Sequence, residues 1–281
     1  MLASKYPFHN FLYMLIKRPK MNNKLAIVAL CGSLSLNAFA EEVVAPKDPL
    51  SMSAELGALF KTGDNESTDL KAGFDLDHEL GLWRSTVRFD LLASKAEIED
   101  EEGVQRSQTT NQQWKIVGQT NYTIGAKKTN YVYGNVSHDD NRFGGFETQS
   151  SISAGWGRRW FESKTGTFDA DIGPGYKKDV VRLADENGNE YTENKSAFII
   201  QAQALYTRNL NEHVKFKQRF VAKYATKSGE NSNYQAESSI TTKLISTLQL
   251  KVSFKVDHNT DVEEGKENTN TQTALTLVYS F

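Results

Sequence analysis

Residues able to do covalent chemistry are few and poorly grouped in this 281-residue chain. The five histidines are His9, His78, His138, His213 and His258, and the single cysteine is Cys31. The one local Ser/His/Asp cluster is VSHDDN, from Val136 to Asn141. A hydrolytic site needs a Ser and a His within hydrogen-bond reach, with a third polar group orienting the His. Ser137 and His138 are adjacent in a strand-like stretch, so their side chains point to opposite faces. Asp139, Asp140 and Asn141 carry oxygens suited to Ca²⁺, but a plain turn is the simpler account of the same three residues. No Gly-rich phosphate cradle and no zinc-ligand spacing occurs. The expectation is a non-enzyme with no catalytic, cofactor-binding or metal-binding residue and no cofactor.

The charged residues are more orderly. Asp75, Asp77, Arg84, Arg88, Asp169, Asp171, Lys215, Lys217, Arg219, Lys223, Lys251 and Lys255 all fall on the polar face of a stretch that alternates with period two. The opposite faces are oily. Leu70, Ala72, Phe74 and Leu76 oppose Lys71, Asp75, Asp77 and Glu79, and Val214, Phe216, Phe220, Ala222 and Tyr224 oppose the basic run of Lys215 to Lys223. If the polar faces line one lumen, two readings stand. Opposed charges across a narrow aqueous channel create a transverse field that orients polar solutes and tunes ion selectivity. Alternatively, ion pairs fill the lumen and only brace the wall.

The elements that must position these charges are strands. Twelve candidates lie at about 52–60, 68–79, 83–94, 112–124, 128–138, 146–157, 166–177, 196–207, 214–225, 233–244, 247–257 and 271–281. Each is about 9–13 residues long, against about 5–6 for soluble strands and about 9–11 for tilted membrane strands. The connections alternate in length. Tight Leu80-Gly81-Leu82 and Ile245-Ser246 contrast with acidic Lys95–Asn111 and with Lys178–Lys195, although Arg158–Thr165 is longer than the alternation requires. Short turns at one end and long polar loops at the other mark an outer-membrane barrel. A twelve-stranded barrel lies between small filled barrels and wide porins. Trp83, Tyr122, Tyr131, Trp156, Trp160, Tyr206 and Tyr224 sit near strand ends and are predicted to form interfacial aromatic girdles. Leu275, Leu277, Tyr279 and the terminal Phe281 share one face of the last strand. That face resembles the signal read by the barrel assembly machinery, whose physical basis is strand addition.

Residues 21–40 read as a cleaved signal peptide: Lys24, an apolar core from Leu25 to Leu36, and the Ala38-Phe39-Ala40 cleavage site. The 16 uncharged residues from Leu25 to Ala40 are short for a spanning helix. Residues 1–20 are then an upstream extension from an early start, or a long basic leader. Cys31 lies inside the apolar core, so the mature chain has no thiol for catalysis or metal binding. Five of the 33 basic residues and none of the 35 acidic ones fall in residues 1–40, which leaves the mature chain at net −7 and disfavours nucleic acid. Residues 41–50 read as a periplasmic segment, and 51–281 as the barrel.

Several of these residues together resemble the YdiY-like salt-induced outer membrane protein family, also called domain of unknown function 481. They are Ser53-Ala54-Glu55-Leu56-Gly57, Thr62-Gly63, Ser67-Thr68, Trp83-Arg84, Tyr131, Gly134, Asp139-Asp140, Arg142-Phe143-Gly144-Gly145-Phe146, Gly155, Gly157 and Gly173-Pro174-Gly175-Tyr176. The resemblance covers most of residues 51–281 and implies an outer-membrane barrel without supplying an activity. The resulting expectation is an all-β, up-and-down transmembrane barrel in a Gram-negative outer membrane, acting as a porin-like passive channel or an envelope-maintenance protein. Its expected partners are outer-membrane lipid and lipopolysaccharide, the barrel assembly machinery, and small polar solutes or ions. The alternatives are an outer-membrane lipid-modifying enzyme and a soluble periplasmic β-protein.

Overall fold

Alternating oily and polar residues favour extended chain, because only a period of two puts each kind on its own face. The computed structural model describes residues 49–62, 67–99, 105–142, 145–184, 190–262 and 267–281, and the leader, the upstream extension and most of segment 41–50 lie outside them. The described residues form twelve strands: β1 (Leu50–Thr62), β2 (Ser67–Leu80), β3 (Trp83–Glu99), β4 (Gln105–Ile124), β5 (Asn130–Asn141), β6 (Phe146–Ser163), β7 (Gly166–Ala184), β8 (Glu190–Asn209), β9 (Val214–Ala225), β10 (Asn233–Lys243), β11 (Leu248–Asn259) and β12 (Thr269–Ser280). Each pairs antiparallel with its neighbours in sequence, and β1 pairs with β12 to close the barrel.

Several strands run longer than expected, and the two longest predicted loops largely disappear. Lys95–Glu99 pairs with Gln105–Thr109, and Asp179–Ala184 pairs with Glu190–Lys195. Main-chain pairing does not require a regular oily face, so the ladders continue into the polar ends of β3, β4 and β8 and into β7, where adjacent Val180 and Val181 break the alternation. The overlong Arg158–Thr165 connection is resolved in the same way. β6 runs to Ser163 and β7 starts at Gly166, leaving a two-residue turn.

The oily faces point outward. Leu56, Ile152, Trp160, Phe198 and Leu277 are exposed, Phe198 by 72%, while few apolar residues are buried among the described residues and Leu92 clusters with Ala274. On β7 the outward residues from Phe168 to Tyr176 span nine positions, the length a tilted strand needs to cross hydrocarbon. Closure satisfies every ladder hydrogen bond internally, as that solvent demands. A polar-surfaced sandwich, the fold a soluble β-protein would need, is not what forms.

Two close approaches shape the wall. Gly155 on β6 and Gly173 on β7 face each other so tightly that a Cβ on Gly173 would lie 2.1 Å from the Ala154 carbonyl oxygen and 2.6 Å from the Gly155 Cα. At the seam, Phe281 exchanges two main-chain hydrogen bonds with Met52, at 3.0 and 3.2 Å. Deleting Phe281 removes both, each worth about 0.5–1.5 kcal/mol. The shortened chain is expected to unfold at lower urea concentration in detergent. An unchanged midpoint would show that the seam does not depend on its last residue.

Candidate functional site

The inward faces of the twelve strands meet in one polar bore. Near the short-turn end, Asp169 on β7 accepts Arg159 Nε at 3.0 Å and lies 3.5 Å from Arg84 on β3. The Arg84 guanidinium rests over the Tyr131 ring, 5.1 Å from its centre. Tyr131 is opposite Gly157 in the ladder, and a Cβ on that glycine would come within 2.3 Å of the ring. The missing side chain lets the ring lie against the wall, where its hydroxyl donates to Asp171 Oδ2 at 3.3 Å.

At mid-height the bonds cross the bore. Asp171 also accepts from Gln119 and Gln203, each at 3.2 Å, and hydrogen bonds between side-chain amides join Gln119, Asn135, Gln201 and Gln203. Arg88 on β3 holds Asp75 at 2.8 Å and reaches Glu237 on β10 at 3.2 Å. Lys115 on β4 pairs with Asp139 at 3.4 Å and donates to Gln235 on β10 at 3.1 Å. β4 and β10 are separated by five strands either way round, so the Lys115–Gln235 bond spans a full diameter. Toward the other end, Lys223 Nζ donates to Ser137 at 2.7 Å, and Lys177 pairs with Asp179. Along β11, Lys251 meets Glu55 at 2.9 Å and Lys255 meets Asp257 at 3.3 Å. Cavities of about 100 Å³ and about 20 Å³ remain between these contacts.

All twelve charges singled out in the sequence occupy inward positions. Asp75, Arg84, Arg88, Asp169, Asp171, Lys223, Lys251 and Lys255 are tied into the bonds above. Asp77 and Lys215 are exposed at the short-turn mouth. Lys217 and Arg219 have no carboxylate within salt-bridge distance among the described residues. Sequence reasoning did not place Glu55, Lys115, Arg159, Lys177, Asp179, Glu237 or Asp257 in the lumen. Their signal was available in the same two-residue phase. In β10, however, small and polar residues occur on both faces and blur the alternation around Glu237.

Tyr131 corrects the aromatic set. It is 2% exposed and faces the bore, because it shares the phase of Tyr133, Asn135 and Ser137 while Val132 and Val136 face out. Closeness to a strand end had placed it in a girdle, but its phase places it inside. Tyr131→Phe should lower stability by about 1 kcal/mol, since Asp171 loses one of three donors. Urea unfolding in detergent measures this, and an unchanged midpoint would deny the bond any weight. The other six face outward. Trp83 packs on Tyr122 at 4.9 Å, Tyr206 lies between Phe168 and Phe216, and Trp156 and Trp160 are exposed, all toward the short-turn end. Tyr224 lies toward the other end, where Tyr176 meets Phe198 at 5.4 Å. Leu275, Leu277, Tyr279 and Phe281 are all exposed on the outer wall.

Ser137 and His138 are split as their adjacency requires. Ser137 faces the bore against Ser151, while His138 faces out, with its Nδ1 2.7 Å from Ser150 Oγ and its ring against Trp114. Asp139 faces inward to Lys115 and Gln113.

An oily outer wall, a charged and braced bore, and a sheet with no free edge define a twelve-stranded, up-and-down transmembrane β-barrel. The chain belongs to the family described as "Protein of unknown function, DUF481", which matches residues 54–281. It is 25% identical over 271 residues to the uncharacterized protein YdiY of Escherichia coli (strain K12), covering 91% of this chain and 97% of that one. Among solved structures it is similar to a NanC porin, with a TM-score of 0.46 and 10% identity over 80% of this chain and 98% of that one. It is also similar to the translocator domain of the autotransporter NalP from Neisseria meningitidis, with a TM-score of 0.49 and 10% identity over 84% and 90% of the two chains.

Proposed function

We propose that this barrel resides in the outer membrane of a Gram-negative bacterium and acts as a narrow, charge-lined passage for ions and small polar solutes. The observation that carries this reading is a bore lined mainly by polar and charged groups, with a few apolar side chains such as Leu92 and Val221, and obstructed at mid-height only by side chains among the described residues. A purely structural barrel gains nothing from burying so many charges, because apolar filling of the same volume is as stable or more so. The cross-bore contacts of Arg88 and Lys115 make the passage a constriction rather than a wide pore. Outer-membrane lipid and lipopolysaccharide meet the outward aromatics, and the barrel assembly machinery reads the outer face of β12. The salt-linked role comes from the family resemblance.

Reconstitution of the purified full chain in planar bilayers tests this. Stepwise ion currents of low amplitude are expected. A silent barrel that remains folded would favour the envelope-maintenance reading instead. The enzyme reading has one specific support, the His138–Ser150 pair on the lipid-facing wall. It lacks a third polar group orienting His138 among the described contacts. Phospholipid turnover by the purified barrel, abolished in Ser150→Ala, would install that reading in place of the passage.

A further inference from the structure

The bore is not evenly neutralised. The inward basic residues of β9 stand out because Lys217, Arg219 and Lys223 have no carboxylate within salt-bridge distance among the described residues. Glu237 is directly opposite Arg219 in the β9–β10 ladder, yet its carboxylate turns across the bore to Arg88. Arg219 Nε is buried without a hydrogen-bond partner, and so is Gln201 Oε1. Lys223 reaches only the hydroxyl of Ser137.

Arg219, Lys223 and Gln201 all line the cavity of about 100 Å³. Six cationic side chains and two carboxylates line it in all. Its volume exceeds the about 10–15 Å³ of probe space one water occupies, so it holds several waters or one small oxyanion. A buried guanidinium nitrogen without an acceptor is costly, and an anionic oxygen is the acceptor that suits it.

We infer that this cavity is a binding site for a small oxyanion, held between Arg219 and Lys223 on β9. The ligand class follows from the charge of the lining, six cationic side chains against two carboxylates. An oxyanion accepts from those cations, and one that also carries a hydroxyl, such as hydrogen phosphate, can donate to an amide or carboxylate oxygen of the lining. Sulfate at neutral pH supplies only acceptors. Lys217, one inward position below Arg219, extends the positive potential toward the short-turn mouth and biases the passage toward anions. This inference rests on the bore described under the proposed function, but it does not require that the bore conduct.

The test uses inorganic phosphate with the purified full chain in detergent, read by calorimetric titration, and separately the reversal potential in bilayers under a KCl gradient. Wild type should bind phosphate more tightly than sulfate. Arg219→Gln and Lys223→Gln should each weaken binding by about tenfold or more. Arg219→Lys should retain part of it, and Lys215→Gln at the mouth should leave it unchanged. Heat-modifiable gel migration checks that each variant is folded. Phosphate binding by a silent barrel would sustain the site and remove the passage. Current that phosphate does not alter, without binding heat, would sustain the passage and overturn the site. Equal binding by wild type and the folded Arg219→Gln, Lys223→Gln double variant would also overturn it.

Discussion

Replacing Arg88 and Glu237 together by alanine should raise single-channel conductance several-fold without preventing the barrel from folding. Arg88 on β3 and Glu237 on β10 meet at 3.2 Å across the bore, with four strands between them on one side and six on the other. Their side chains are the material that narrows the passage at that height. Removing both leaves the net charge unchanged, so the result reports width rather than field. The single variants should behave differently. Glu237→Ala leaves Arg88 with Asp75 and keeps part of the obstruction. Arg88→Ala strands both Asp75 and Glu237 without their cation, and losing one partner of a buried pair costs up to about 3–5 kcal/mol. The expected ranking is therefore conductance highest in the double variant and stability lowest in Arg88→Ala. If the folded double variant conducts no more than wild type, this contact is not the constriction.

Gly173→Val should prevent formation of the heat-resistant folded species altogether. The obstacle it meets is backbone: the Ala154 carbonyl oxygen at 2.1 Å and the Gly155 Cα at 2.6 Å from the added Cβ. Overpacking against movable side chains costs about 1–3 kcal/mol. Here the neighbouring strand itself must move, and in a closed sheet it carries the rest of the wall with it. Gly134→Ala is the matched control, since a Cβ there meets nothing within 4 Å. A normal folded band from Gly173→Val would show that β6 and β7 can separate at this point without opening the barrel.

Much of the fold could be read directly from the chain because a single physical alternation encodes it. Leu70 to Leu76 and Phe216 to Tyr224 state their faces without reference to anything distant, and the twelve strands follow from such stretches. What could not be read depends on partners far apart in sequence. Glu237 meets Arg88 across the bore rather than the adjacent Arg219, a pairing that spacing along β10 does not encode. The close approach of Gly155 and Gly173 is likewise a property of two strands together. Tyr131 was legible, but only by giving its phase more weight than its place near a strand end. The extensions of β3, β4 and β8 were hidden because their mostly polar residues carry little burial signal, and that of β7 because adjacent Val180 and Val181 break the alternation, although the main chains pair all the same.

Among the described residues, nothing but side chains stands in the bore, with no plug segment and no inserted helix. Its aperture is therefore a mesh whose openings are set by rotamers. On the proposed function, it yields where a solute exchanges its own hydrogen bonds for those of an arginine or an amide. Struts that share a partner, as Asp75 and Glu237 share Arg88, should therefore act as one knot in the sieve, whose removal changes permeability by more than the sum of its single threads.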